Sequence, residues 1–283
     1  MKIIILINCP DKSGIVYSVT GFIHSYKGNI IYLDQHVDKS KDIFFMRLES
    51  DFDSSTFKLD EFRKTFSEEL AISHKMDFSI HSADAKPKMA LFISKYNHCL
   101  YDILSRFNSG ELKVDIPFIL SNHNDLGYIA EQFDIPFYHI PFSKEKRDEA
   151  EKKQLKLLEE YKIDFIVLAR YMQIISSKLI DKYPNKIINI HHSFLPAFAG
   201  AKPYHAAFAR GVKIIGATSH YVTEELDAGP IIEQDVTTVS HTHSIADFIT
   251  KGRDLEKIVL SRALKLHIKR KTMVYNNKTV VFS

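Results

Sequence analysis

The sequence predicts an α/β protein: a doubly wound, mainly parallel sheet preceded by a small α+β domain of βαββαβ order. Three observations carry this. Residues 1–81 alternate short apolar runs with helical patterns in the rhythm strand, helix, strand, strand, helix, strand. Ala85-Lys86-Pro87-Lys88 then breaks the pattern, since proline lacks a backbone donor and the flanking lysines favour water. From Met89 onward apolar runs alternate with helical patterns, as expected of strands buried on both faces and joined by right-handed crossovers. The domains are expected at 1–84 and 89–283, with 85–88 as the linker.

In chain order, the first domain reads as strand 2–8, helix 14–26, strands 29–37 and 43–50, helix 56–74 and strand 77–81. Asp11-Lys12-Ser13-Gly14 turns from strand to helix, and Gly28-Asn29 stops that helix and opens the next strand. Phe62, Phe66 and Leu70 recur at helical spacing and lay one helix face on the sheet. In the second domain the strands are 89–93, 116–120, 165–168 and 186–191, with a helix at 144–161 among the connections. The remainder reads as strands 213–221 and 231–236, a helix from Ser244 to about Arg270, and a hairpin of 273–275 with 279–282 around Asn276-Asn277.

Composition bounds the function. A chain of 283 residues with 45% hydrophobic content can bury a sizeable core. The net charge of +3 arises from 38 basic and 35 acidic residues with no basic stripe, so nucleic acid is not an expected partner. Lys265 to Lys271 is read as cations at a helix end, where the dipole favours them. The two cysteines, Cys9 and Cys99, call for no disulfide framework, and the run Ile3 to Ile7 is too short for a signal core or a membrane span. No membrane partner and a cytoplasmic location are expected.

The chemistry concentrates in Asn189-Ile190-His191-His192-Ser193-Phe194-Leu195-Pro196 and in Tyr221-Val222-Thr223-Glu224-Glu225-Leu226-Asp227-Ala228-Gly229-Pro230. Asn189 and His191 stand two apart at the carboxyl end of a strand, where doubly wound sheets place their sites, and so project to one face. An amide donor and an imidazole there can clamp a carbonyl oxygen as it turns negative, while Asp227, brought back by the Ala228-Gly229-Pro230 turn, can fix the imidazole. Acyl transfer or hydrolysis is the expected reaction class. His241-Thr242-His243 carries neither a cysteine pair nor HExxH spacing, so no metal is expected.

These two segments resemble the formyltransferase family that uses 10-formyltetrahydrofolate, whose site is carried by Asn-x-His-x-Ser-x-Leu-Pro and Glu-Leu-Asp-x-Gly-Pro. The resemblance extends through Gly200-Ala201-Lys202-Pro203-Tyr204-His205 and Gly216-Ala217-Thr218-Ser219-His220-Tyr221, and it spans residues 89–283. It implies a formyltransferase-like fold, Asn189, His191 and Asp227 as the catalytic trio, and His220 in the same pocket. It also implies folate contacts from Arg170-Tyr171-Met172-Gln173-Ile174-Ile175 and from Thr223, Glu224, Glu225 and Leu226, with the folate as substrate and no cofactor.

The acceptor is read from Ser94-Lys95-Tyr96-Asn97-His98-Cys99-Leu100. A ribonucleotide phosphate is cradled by a glycine-rich turn, and this turn has no glycine and a bulky Tyr96. Lys95 and His98 still offer charge to an anion. The loop, together with His192 and Phe194, resembles the hydrolytic members of the family, the formyltetrahydrofolate deformylases, in which water attacks and formate is released for purine biosynthesis. The alternatives are formyl transfer to glycinamide ribonucleotide and a catalytically silent folate-binding regulator. Cys9-Pro10-Asp11-Lys12-Ser13-Gly14-Ile15-Val16, Gly28-Asn29-Ile30, Asp34-Gln35 and Phe44-Phe45-Met46-Arg47 resemble an ACT domain. That resemblance implies a small amino-acid effector, with Asp11, Gly14 and Asn29 as candidate contacts, and assembly as a homo-oligomer, a tetramer in the first instance.

Overall fold

The computed structural model describes residues 1–283 apart from 144–145 and 198–202, so the expected helix start at Lys144 and the Gly200-Ala201-Lys202 segment lie outside the described residues. Among those described, no helix is long and apolar enough to cross a membrane. The chain divides into two compact units.

The first unit holds β1 (Lys2–Pro10), β2 (Asn29–Asp38), β3 (Ile43–Asp51) and β4 (Asp77–Ser82), an antiparallel sheet in the order β2-β3-β1-β4. The period of two sends Ile3, Ile5 and Ile7 of β1 and Phe44, Met46 and Leu48 of β3 to one core. There they meet Val19 and Ile23 of α1 (Ile15–Ser25) and Phe62 and Phe66 of α2 (Leu59–Phe66). After α2 the chain makes one π-helical turn (Ser67–Ala71) and ends in α3 (Ile72–His74). The helix begins at Leu59 rather than Thr56 because Asp53 captures the chain in a turn, accepting from the Ser55 amide and hydroxyl at 2.9 and 2.8 Å.

The second unit is built on seven strands in the order β11-β10-β9-β8-β5-β6-β7. β5 (Met89–Ile93), β6 (Ile119–Ser121), β7 (Phe137–His139), β8 (Phe165–Ala169) and β9 (Ile187–His191) run parallel, while β10 (Ile214–Tyr221) lies antiparallel to β9 and to β11 (Ile231–Thr238). Met89, Leu91 and Ile93 of β5 face a core shared with α4 (His98–Asn108), α5 (Gly127–Gln132) and α9 (Ile245–Ile268). Ala90 and Phe92 face α6 (Arg147–Glu160) and α7 (Ser177–Lys182) on the other side, which makes the sheet doubly wound. Between β10 and the preceding strand stands α8 (Pro203–Arg210). From β5 the chain first adds β6 and β7 on one side and then returns for β8 and β9 on the other, so the strand order reverses beside β5. β6 starts at Ile119 rather than Ile116 because Pro117 has no N–H to give a ladder. β7, three residues long, was not expected at all.

The two units separate between Ala85 and Lys86, but the tail differs from the expected 89–283 division. Residues 269–273 and 280–283 belong to the first unit, and 274–279 to the second. Within the first unit the buried Arg47 explains this: Nε donates to the Arg270 carbonyl at 2.9 Å and Nη2 to that of Lys269 at 3.0 Å. Asp34 accepts from the Ser283 amide at 3.1 Å.

Candidate active site

A cavity of about 370 Å³ opens where β8 and β9 end, beside the reversal in strand order. Three segments line it: the end of β8 with residues 170–175, the end of β9 with His192, and the end of β10 with the loop that reaches Asp227.

Asn189 and His191 of β9 both line this cavity. His220 of β10 is the direct antiparallel partner of Asn189, which places the two side chains on one face. The Asn189 amide nitrogen lies 3.2 Å from His220 Nε2. His220 Nδ1 lies 2.9 Å from the Tyr221 carbonyl, which can only accept, so Nδ1 carries a proton and Nε2 can accept from the Asn189 amide. That leaves the second amide hydrogen of Asn189 for another acceptor.

His191 Nδ1 is 3.2 Å from Asp227 Oδ2, and His220 Nε2 is 3.6 Å from Oδ1. The hydrogen bond from His191 holds the Asp227 carboxyl well below the usual carboxylate range despite its partial burial. His191 Nε2 is buried and, among the described residues, has no hydrogen-bond partner, on a ring that lines the cavity. One imidazole nitrogen is thus tied to a carboxylate and the other is available to a ligand.

Local structure forces this convergence. Asp227 adopts φ 56°, the left-handed conformation that aspartate tolerates better than most residues. Gly229 lies so close to β10 that a Cβ there would stand 1.8 Å from the Tyr221 oxygen, the same carbonyl that fixes His220. Thr218, opposite His191, receives the Leu195 amide at 3.0 Å and donates to the Ser193 carbonyl at 2.9 Å, and Gln234 donates to the Leu195 carbonyl at 3.1 Å. The Ser-x-Leu-Pro segment is thereby clasped to β10 through Thr218 and to β11 through Gln234.

The remaining sequence candidates divide. Met172, Gln173, Ile174, Ile175, Thr223, Glu224 and Leu226 line the cavity, with Met172, Ile174 and Leu226 strongly exposed to it or to solvent. Glu225 does not line it; its carbonyl is turned into its own loop, accepting from the Thr223 hydroxyl at 3.2 Å and the Ala228 amide at 3.4 Å. His192, quoted in the sequence for its likeness to the hydrolytic members, lines the cavity too, as do Leu168, Ile190 and Val222, which gave no signal of their own, since apolar residues in or beside strands read as core. In the first unit Asp11 and Gly14 follow the end of β1, whereas Asn29 pairs with Asp51, itself opposite Lys2, at the far end of the sheet. The structure does not bring Asn29 to the other two within one chain.

His98 is committed rather than free for an anion. Its Nε2 lies 2.8 Å from Glu256 on α9, whose other oxygen accepts from Tyr204 at 2.5 Å, with Arg170 Nε 3.5 Å away. Tyr204 reaches in only because position 252 is glycine, where a Cβ would stand 2.2 Å from its ring. These bonds keep the buried Glu256 carboxyl low against the desolvation that raises it. His98, Cys99 and Glu256 form, among the described residues, a group of metal-donor type, but the carboxylate is already satisfied and a guanidinium stands beside it, so an ion-pair network is the better account. His243 Nδ1 is engaged by the Ser240 amide at 2.9 Å.

Known proteins resemble the chain throughout. The formyl transferase family pattern matches residues 87–264. Formyltetrahydrofolate deformylase of Synechocystis is 50% identical over 279 residues, 99% of this chain and 98% of that protein. The crystal structure of a formyltetrahydrofolate deformylase from Pseudomonas syringae pv. tomato superposes with a TM-score of 0.97 at 47% identity, covering 100% of this chain and 95% of that one. A phosphoribosylglycinamide formyltransferase from Anaplasma phagocytophilum covers 70% of this chain and 96% of its own, with 28% identity and a TM-score of 0.64.

Proposed function

This chain belongs to the formyl transferase family and, within it, groups with the formyltetrahydrofolate deformylases, and we propose that it hydrolyses 10-formyltetrahydrofolate to formate and tetrahydrofolate. It is a hydrolase acting on a linear amide C–N bond, its formate serving purine biosynthesis. The observation that carries the reading is the buried His191 Nε2, unpartnered beside a cavity while Nδ1 is held by Asp227.

His191 with protons on both nitrogens donates from Nε2 to the formyl oxygen, and the free amide hydrogen of Asn189 donates to the same oxygen. Asp227, ionised across the working range, balances the imidazolium and takes a proton from the attacking water through the oxygen that His191 does not hold. Water adds to the formyl carbon as its proton passes to Asp227, the C–N bond breaks, and Asp227 returns that proton to the departing nitrogen, leaving tetrahydrofolate and formic acid, which gives its remaining proton to solvent and departs as formate. Polarisation comes from side chains, so the reading calls on no cofactor.

The loop before α4 favours water over an amine-bearing ribonucleotide. Tyr96 lies 4.9 Å beneath the Arg170 guanidinium and 5.6 Å from that of Arg253, and His98 is taken by Glu256, so a phosphate finds no glycine turn there and, of the loop's two basic side chains, only the exposed Lys95 is left to meet it. Formate release is to be measured from 10-formyltetrahydrofolate with and without glycinamide ribonucleotide. Equal release in both supports hydrolysis; formylated ribonucleotide makes the chain a transferase; folate binding without turnover makes it a silent regulator. A small amino-acid effector at the first unit, a homotetramer and a cytoplasmic location complete the proposal; the two unpaired, buried cysteines fit a reducing compartment.

A further inference from the structure

The cavity wall formed by residues 171–175 is one residue thick. Tyr171, Ile174 and Ile175 line the active-site cavity on one side and, on the other, a gap of about 10 Å³ shared with Glu151 and Gln154 of α6. Behind that wall both α6 side chains are buried, at 8% and 4% exposure, although α6 as a whole is polar. Gln154 Nε2 donates to the Tyr171 hydroxyl at 3.1 Å. Ser176 donates its hydroxyl to Glu151 and accepts the Leu179 amide at 3.3 Å, so the same oxygen ends the loop and caps α7. At the front, Ser94 receives the Met172 amide at 3.0 Å and passes its own proton to Asn122 at 2.6 Å.

The loop packs on the core through Tyr171 and Ile175 but exposes Met172 and Ile174, and between these it is tied at four polar points, the fourth being the Ile174 carbonyl, which accepts from Arg147 at 3.5 Å. Burying a carboxylate and an amide is costly, and here each is matched to a loop atom rather than to its own helix. We propose that Glu151 and Gln154 are positioning residues that hold residues 171–176 in the conformation that receives the fused-ring, donor-and-acceptor end of the substrate, and so set substrate affinity without taking part in bond breaking. This rests on the hydrolase reading for its substrate.

The test compares Glu151→Leu, Glu151→Gln and Gln154→Leu with wild type, measuring KM and kcat for 10-formyltetrahydrofolate and, independently of turnover, the Kd for tetrahydrofolate. Loosening the wall raises KM and Kd about tenfold in Glu151→Leu and Gln154→Leu while kcat stays within about threefold, because the trio on β9 and the 221–230 loop is untouched. Glu151→Gln, which keeps an oxygen for Ser176, stays near wild type. Unchanged Kd in Gln154→Leu, or a fall in kcat with KM constant, overturns the proposal. If Glu151→Leu fails to fold, Gln154→Leu decides by the same criterion. A wild type that binds tetrahydrofolate but releases no formate refutes the hydrolase reading alone, and the Kd comparison still judges the wall.

Discussion

Asp227 is the residue on which charge and geometry meet. Asparagine in its place still accepts from His191 Nδ1 but carries no charge, so Asp227→Asn is expected to lower kcat by about a hundredfold to ten-thousandfold while still folding cooperatively, with a lower melting temperature at neutral pH. Formate release and a thermal melt on the same sample check this. The pH dependence has a definite sign. A carboxyl held low in the folded state stabilises the fold above the unfolded carboxylate value of about 3.9 and loses that contribution as pH falls toward its folded value. The melting-temperature advantage of wild type over Asp227→Asn should therefore not shrink between pH 7 and 5 and should be lost only below about 4, and an acid limb of kcat/KM above pH 5 cannot arise from this residue. An advantage that declines between pH 7 and 5 would contradict the assignment.

At the scale of elements, β10 and the turn after it carry both His220 and Asp227, and Gly229 is where they are fastened. Alanine there drives a Cβ into backbone, the Tyr221 oxygen, which cannot rotate away as a side chain would. Gly229→Ala is expected to destabilise by about 2–3 kcal/mol and to lower kcat, since both imidazole and carboxylate shift; urea unfolding beside steady-state kinetics measures the two effects. Much at this scale was legible in sequence, for physical reasons. Met89 to Ile93 is apolar throughout because it is buried on both faces, and Asn189 and His191 share a face because strands repeat every two residues. What was not legible had no side-chain signature. β7 is too short for a pattern, and α6 reads as a solvated charged helix although Glu151 and Gln154 face inward. His98 carried a charge legible in sequence, but its partner Glu256 is 158 residues away and nothing local announces the pair.

At the scale of the whole chain, Pro87 announced the boundary between units, but the ownership of the tail could not be read because it is settled by backbone atoms. The carbonyls of Lys269 and Arg270 accept from Arg47, a side chain on β3 that is 1% exposed and also paired with Glu49 at 2.6 Å. A buried guanidinium is costly unless its donors are used, and two of its three bonds go to these two carbonyls. The residues it grips, 269–270, directly follow α9 in the chain, and they and Lys271 offer three successive sites to trypsin. Arg47→Met keeps the length of the side chain and removes every donor. If Arg47 is the tether, the variant should be cut by trypsin between 269 and 271 at least about tenfold faster than wild type, because local opening, not global unfolding, then governs access. Mass spectrometry of the fragments under native conditions locates the cut. Cleavage at the wild-type rate in a variant that still melts cooperatively would mean that the tail is held by the Tyr32, Asp34 and Ser283 contacts instead, and that Arg47 is buried for the sake of the β3 pairing alone.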